Sequence, residues 1–115
     1  MCGRIDIQGE KLTQGVSDLL GFDFHVATNR DLRPTQILQA IISSAQGLEQ
    51  MEASWGIKPT WAKQLLINAK AETVDQKPTF KQAFSERRCI VPCSGRYEWR
   101  DEGRAKKAEV SLSTP

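Results

Sequence analysis

The spacing of apolar residues changes period several times along this chain. Ile5-Asp6-Ile7 alternates as a short strand does, and Gly9 ends it. Over residues 11–20, Leu12, Val16, Leu19 and Leu20 recur at helical spacing, which predicts an amphipathic helix with Gly21 at its stop. Phe22 and Phe24 follow as packing residues. The stretch 29–36 is polar and basic, with Pro34 fixing a turn. Residues 37–43 and 48–55 read as two strands joined by a turn at Gln46-Gly47. In the second, Leu48, Gln50, Glu52 and Ser54 share one face and Met51, Ala53 and Trp55 the other. Leu65-Leu66-Ile67 runs into Asn68, Lys70 and Glu72, the pattern of a strand delivering polar groups to a cleft. Residues 80–84 suit a short helix, and Cys89-Ile90-Val91-Pro92-Cys93 an apolar strand. In 94–100 a further strand would put Tyr97 and Trp99 on one face and Glu98 on the other. Asp101-Glu102-Gly103-Arg104 reads as a hairpin-like turn, and Val110-Ser111-Leu112 starts one more strand. Short strands with a few short helices predict an α+β fold on a mixed, mostly antiparallel sheet. Neither repeats nor a long linker divide residues 1–115, which read as a single domain.

Composition narrows the function classes. At 115 residues there is room for one modest core. Hydrophobic residues make up 39% and charged residues 26%, ordinary for a soluble globular chain. The net charge of +2 does not mark a nucleic-acid binder by bulk charge alone, which leaves local clusters to do so. There is no apolar run of about 18 residues to cross a membrane and no apolar segment behind the start that suits a secretory signal. A cytoplasmic, reducing location is therefore expected. Three cysteines, an odd number, argue against a disulfide framework. Cys89 and Cys93 are one residue too far apart for a CxxC motif and lack a second Cys/His pair, so neither metal nor cofactor is expected; both read as small buried residues. His25, the single histidine, sits beside two phenylalanines and is given no role.

Two stretches carry candidate chemistry. The first is Met1-Cys2-Gly3-Arg4. Once Met1 is removed, Cys2 has an α-amine and a thiol on adjacent carbons. The amine condenses with an aldehyde to an imine, and the thiolate adds to the same carbon, closing a thiazolidine. In reference peptides an α-amine titrates at about 7.7–8.0 and a thiol near 8.5, so both are partly nucleophilic at neutral pH. The second is Trp55-Gly56-Ile57-Lys58-Pro59-Thr60-Trp61, two tryptophans around a stiff turn with lysines close by. It suits either a core anchor or a surface on which bases of a single strand stack, each worth about 1–3 kcal/mol. Glu98, between two aromatics, is either a solvated edge residue or a functional acid.

Taken in order, Met-Cys-Gly-Arg, Trp-Gly-x-x-Pro-x-Trp, Asn-Ala-(basic)-x-Glu-Thr, Lys-Pro-x-Phe, Arg-Cys-(apolar)-(apolar)-Pro and Gly-x-Tyr-Glu-Trp resemble the SOS-response-associated peptidase (SRAP) family, the abasic-site processing proteins. The resemblance covers nearly the whole chain. It implies an SRAP-type sheet or barrel, and covalent capture of abasic sites in single-stranded DNA as a thiazolidine that shields the lesion. It implies Cys2 as nucleophile, Asn68 as the residue holding the opened sugar or a neighbouring phosphate, and Glu98 as proton shuttle. Arg4, Trp55, Trp61 and Lys70 are implied DNA contacts, Lys70 standing where an arginine is usual. A related lyase activity, a thiol autopeptidase that removes its own N-terminus, and a non-catalytic single-strand-binding remnant are the alternatives. Departures accompany the match. Arg-Tyr-Asn-(apolar)-Ala-Pro becomes Asn29-Arg30-Asp31-Leu32-Arg33-Pro34, and Arg96 stands where an aromatic is usual. Family members usually run to about twice this length in one domain. Their second half supplies more strands and an active-site histidine, so the sheet is expected to be incomplete, with a sheet-completing dimer as one way to cover its edge.

Overall fold

The computed structural model describes residues 2–100 and 108–113, and the side chains of all these except 99, 100 and 108–113. The strands are β1 (Ile5–Ile7), β2 (Asn29–Leu32), β3 (Ile37–Ser44), β4 (Gly47–Ser54), β5 (Gly95–Arg100) and β6 (Ala108–Ser113); the helices are α1 (Gly9–Leu20) and α2 (Pro78–Glu86). Strands β2-β1-β5-β6 form one antiparallel sheet in that order, and β3-β4 form a separate hairpin. The α+β, antiparallel expectation holds, but the described strands form an open sheet and a hairpin rather than a closed barrel. The expected turn at residues 101–104 lies outside the described residues.

β1 has the central place among the described elements. Both its edges are paired, to Leu32 and Asn29 on one side and to Arg96 and Gly95 on the other. All three of its residues are buried. Ile5 and Ile7 form a core cluster with Leu32, and Cys2, Trp55, Val91 and Cys93 pack against it half-buried. Asp6 alternates out of that cluster but is only 4% exposed, a position a carboxylate occupies when it is paired. Its partner is Arg30, whose Nε donates to it. That carboxylate holds the Arg30 guanidinium all the more firmly protonated.

The pairing explains a difference from the sequence reading. The polar stretch 29–36 turns at Pro34 as expected, but its first four residues are strand β2. Arg30 and Asp31 look like loop residues only until Asp6 and Arg4 are placed opposite them as partners.

Gly9 ends β1 and opens α1, two residues before the expected start. It is buried because the segment leaving the helix returns along it: a Cβ on Gly9 would lie 2.6 Å from both the Thr28 nitrogen and the Val26 oxygen. Gly9, Thr13 and Ser17, four residues apart, face that returning segment. The Gly9 N–H donates to Thr28 Oγ1 at 2.9 Å, the Val26 N–H to Thr13 Oγ1 at 3.1 Å and the Phe24 N–H to Ser17 Oγ at 3.0 Å. The helix stops where foreseen, at Gly21, whose φ of 71° lets its N–H reach the Ser17 carbonyl. Gly9→Ala is therefore expected to destabilise by about 1–3 kcal/mol in urea unfolding, because backbone on both sides must move. Gly15→Ala, where an added Cβ meets nothing within 4 Å, is expected to stabilise by about 0.5–1 kcal/mol. Equal effects at the two glycines would contradict this packing.

The hairpin meets the rest at a few points: Leu38 packs on the core cluster, and the Gln50 side chain both accepts from the His25 N–H and donates to the His25 carbonyl. Ile41 and Ile90 exchange backbone hydrogen bonds of 2.8 and 3.0 Å. This bridge is all the strand structure found in residues 89–93, and Cys89 is exposed rather than buried as expected. Pro92 removes one donor there, and the apolar run packs through Val91 and Cys93 instead. α2 begins two residues early because Pro78 suits the first helical turn, where a missing N–H costs nothing.

Candidate functional site

The chain before β1 lies against three other segments. The Tyr97 N–H donates to the Arg4 carbonyl at 3.0 Å, extending the β1–β5 pairing towards the N-terminus. Tyr97 Oη donates to the Arg30 carbonyl at 2.9 Å, and the Arg4 guanidinium lies over the Tyr97 ring, 4.8 Å from its centroid. Arg4 Nε also donates to Asp31. Cys2 is thus carried on a short arm with both polar and aromatic anchors, and its Sγ lies 3.8 Å from the Arg4 carbonyl.

A second segment brings Asn68 to the same place. Trp55 follows β4 and packs half-buried against the core cluster, its Nε1 donating to the Ile67 carbonyl at 3.2 Å. Gly56, at φ 102°, turns the chain where any Cβ would collide with Leu65. Ile57 and Leu66 then exchange backbone hydrogen bonds of 3.0 and 2.7 Å. Residues 65–67, expected as a strand, make only this bridge, but it delivers the polar end of the run as the pattern implied. Asn68 Nδ2 donates to the Cys2 carbonyl at 2.9 Å.

Cys2, Gly3, Arg4, Arg33, residues 64–68 and Tyr97 line a cleft of about 550 Å³. Beyond Leu66 and Asn68, which belong to both, lies a second hollow of about 470 Å³ lined by Trp61, Lys70, Lys77 and Phe80 among others. The two tryptophans therefore divide the roles that sequence left open. Trp55 is an anchor beneath the cleft, whereas Trp61 is 68% exposed and offers a ring to solvent beside Lys70. Of the residues singled out in the sequence, Cys2, Arg4 and Asn68 share one cleft, and Trp61 and Lys70 share its neighbour. Glu98 is half-buried on β5, 3.4 Å from Arg96 Nε, and is not among the residues lining either hollow.

Arg33, Asp31 and Tyr97 were not singled out. Asp31 accepts from Arg33 Nε at 2.9 Å as well as from Arg4. Arg33 first, and then Arg4, hold its carboxyl below the usual carboxylate range. A depressed value means the favourable interaction is complete above the unfolded value near 3.9 and is lost only as pH falls through the lower folded one. Burial pushes the Cys93 thiol up, and a charge on Cys2 pushes it further, so Cys93 is kept in its less nucleophilic form. Among the described residues no cluster of His, Cys, Asp and Glu suits a metal ion, and no helix is long and apolar enough to cross a membrane.

Residues 1–112 match the family model described as SOS response associated peptidase (SRAP). The chain is 34% identical over 112 residues to the abasic site processing protein YoqW of Bacillus subtilis, covering 87% of this chain and 48% of the relative. It is 36% identical over 75 residues to the abasic site processing protein YoaM of the same organism, covering 61% of this chain and 33% of that one. In fold it is similar to a phage-related protein from Bordetella bronchiseptica whose crystal structure is known, with a TM-score of 0.76 at 24% identity over 96% of this chain and 54% of that one. The chain thus spans a third to about half the length of these relatives.

Proposed function

The chain belongs to the SOS response associated peptidase family, and we propose that it captures abasic sites in single-stranded DNA as a thiazolidine on Cys2. The observation that carries this reading is the junction of Cys2 and Asn68 at an open cleft flanked by arginines. The names of the relatives supply the lesion; the chemistry follows from the residues. With Met1 removed, the Cys2 amine adds to the aldehyde carbon of the ring-opened deoxyribose, and the carbinolamine loses water to an imine. The thiol sulfur then adds to the imine carbon and its proton passes to nitrogen, closing the ring. One water leaves in all, and no redox partner is needed. Asn68 fixes the Cys2 peptide carbonyl, limiting rotation of the group that bears both nucleophiles. Lys70 is assigned a phosphate and Trp61 a flanking base, an arrangement their shared hollow supports.

The testing experiment is incubation of the mature chain with a single-stranded oligonucleotide bearing one abasic site, scored for a heat-stable band. Within it, Asn68→Asp is expected to slow adduct formation about 3- to 10-fold, the value of one modest hydrogen bond that an ionised carboxylate cannot donate. The melting temperature should change little, since Asn68 is exposed. A wild-type rate in Asn68→Asp would remove Asn68 from the mechanism.

A further inference from the structure

The cleft beside Cys2 carries a charge arrangement that the capture chemistry leaves unused. Two guanidinium groups from different segments, Arg4 before β1 and Arg33 after β2, meet on the single carboxylate of Asp31. Both arginines line the cleft, and Asp31 does not. The Arg4 guanidinium also lies on the Tyr97 ring, and the Arg33 backbone N–H donates to Gln36 Oε1 at 2.9 Å, which fixes the turn that carries it. Two like charges are thus held side by side before any ligand arrives, which lowers the ordering cost of binding.

The donor geometry indicates what the pair fits. A phosphodiester carries one negative charge, and its oxygens match the planar donor fork of a guanidinium. The other side of Asn68 already offers Lys70, Lys77 and two aromatic rings. A strand crossing the cleft would therefore have a cationic contact on each side of Cys2.

We propose that Arg4, Asp31 and Arg33 form a preformed seat for one backbone phosphate beside the lesion, with Arg33 as its specificity-determining cation and Asp31 as a positioning residue. Asp31 screens the repulsion between the two guanidiniums. Because they also hold it ionised, the seat persists throughout the neutral range. Arg33 stands where the family pattern has alanine, so the seat is a property of this chain. The proposal rests on the capture reading only for the identity of the strand.

The test separates the two. The full chain carrying Cys2→Ala, which cannot close the ring, is titrated with a labelled, lesion-free single strand across a salt series. Adding Arg33→Gln is expected to weaken binding several-fold and to reduce the slope of log K against log salt by about 0.7, one phosphate contact on a single strand. Arg33→Lys should restore the slope but not the full affinity, since a point charge survives and the fork does not. Lys11→Gln, on α1 and outside both hollows, should leave affinity and slope unchanged. An unchanged slope in Arg33→Gln, or no salt-dependent binding at all, overturns the seat. In parallel, mature wild type and Arg33→Gln are treated with free 2-deoxyribose, which has no phosphate. Equal thiazolidine formation is expected. If neither reacts while the slope still responds to Arg33, the capture reading fails and the seat stands; if both react and the slope is unmoved, the seat alone fails.

Discussion

Cys2→Ala is expected to abolish the heat-stable adduct with an abasic oligonucleotide, reducing it to the level seen without protein. The mature variant still carries an α-amine at the same position, so it can still form an imine with the sugar aldehyde. An imine hydrolyses on heating in water, whereas a thiazolidine holds the same carbon through both nitrogen and sulfur. Sodium borohydride should therefore recover a reduced adduct from Cys2→Ala that simple heating destroys. This contrast separates a role in ring closure from a role in folding, because an unfolded chain would lose specificity for the lesion in both assays. The other thiols cannot take over. Cys93 is half-buried with its thiol held protonated, and both it and the exposed Cys89 have an amide where Cys2 has an amine. Undiminished heat-stable adduct in Cys2→Ala would end the proposal that the thiol closes the ring.

Phe24→Ala should have the largest effect on stability. Phe24 is completely buried, its ring centroid 6.4 Å from that of Phe22, on the segment that Ser17 and Thr13 hold against α1. Truncating a buried phenylalanine costs about 3–5 kcal/mol, from lost transfer energy and the cavity left behind. Total stabilities of single domains are about 5–15 kcal/mol. The buried apolar residues here are few, Ile5, Ile7, Phe24, Leu32, Ala40 and Ile41 among the described ones, so little else compensates. A fall in melting temperature of more than about 10 °C is expected, given roughly 4–8 °C per kcal/mol for domains near this size. Phe84→Ala serves as the contrast. That ring is exposed, with Arg88 4.9 Å from its centroid, and its loss should cost little. A Phe24→Ala variant as stable as Phe84→Ala would mean the segment after α1 is not part of the core.

Local pattern made much of this arrangement legible. The helical spacing from Leu12 to Leu20 and the Gly21 stop describe an element that forms largely from its own residues. The β3–β4 hairpin is of the same kind, its strands paired in register from Ile37↔Ser54 to Ser44↔Gly47. What escaped depends on partners distant in sequence. Strand β2 reads as a polar loop because its charges are balanced by Asp6 and Arg4, more than twenty residues away. Arg33 carries no motif; its partner Asp31 is two residues away, but only folding brings the pair to Arg4 and the Cys2 cleft. The Cys89–Cys93 run looks like a strand by composition, yet it makes a single bridge to β3. Motif order picked out Cys2, Arg4 and Asn68, which the fold gathers into one cleft from positions 66 residues apart. It also picked out Glu98, which alternates on β5 with the cleft-lining Tyr97 and is not among the residues lining that cleft.

The central claim is the bond that Cys2 forms, and peptide mass spectrometry reads it directly. The mature chain is reacted with an abasic oligonucleotide, trimmed by nuclease, and cleaved after Arg4. The Cys2-Gly3-Arg4 peptide should carry the deoxyribose remnant with loss of one water, without borohydride, and with no alkylatable thiol remaining on it. A remnant found on a lysine, or on Cys2-Gly3-Arg4 with its thiol still free to alkylate, would contradict thiazolidine capture.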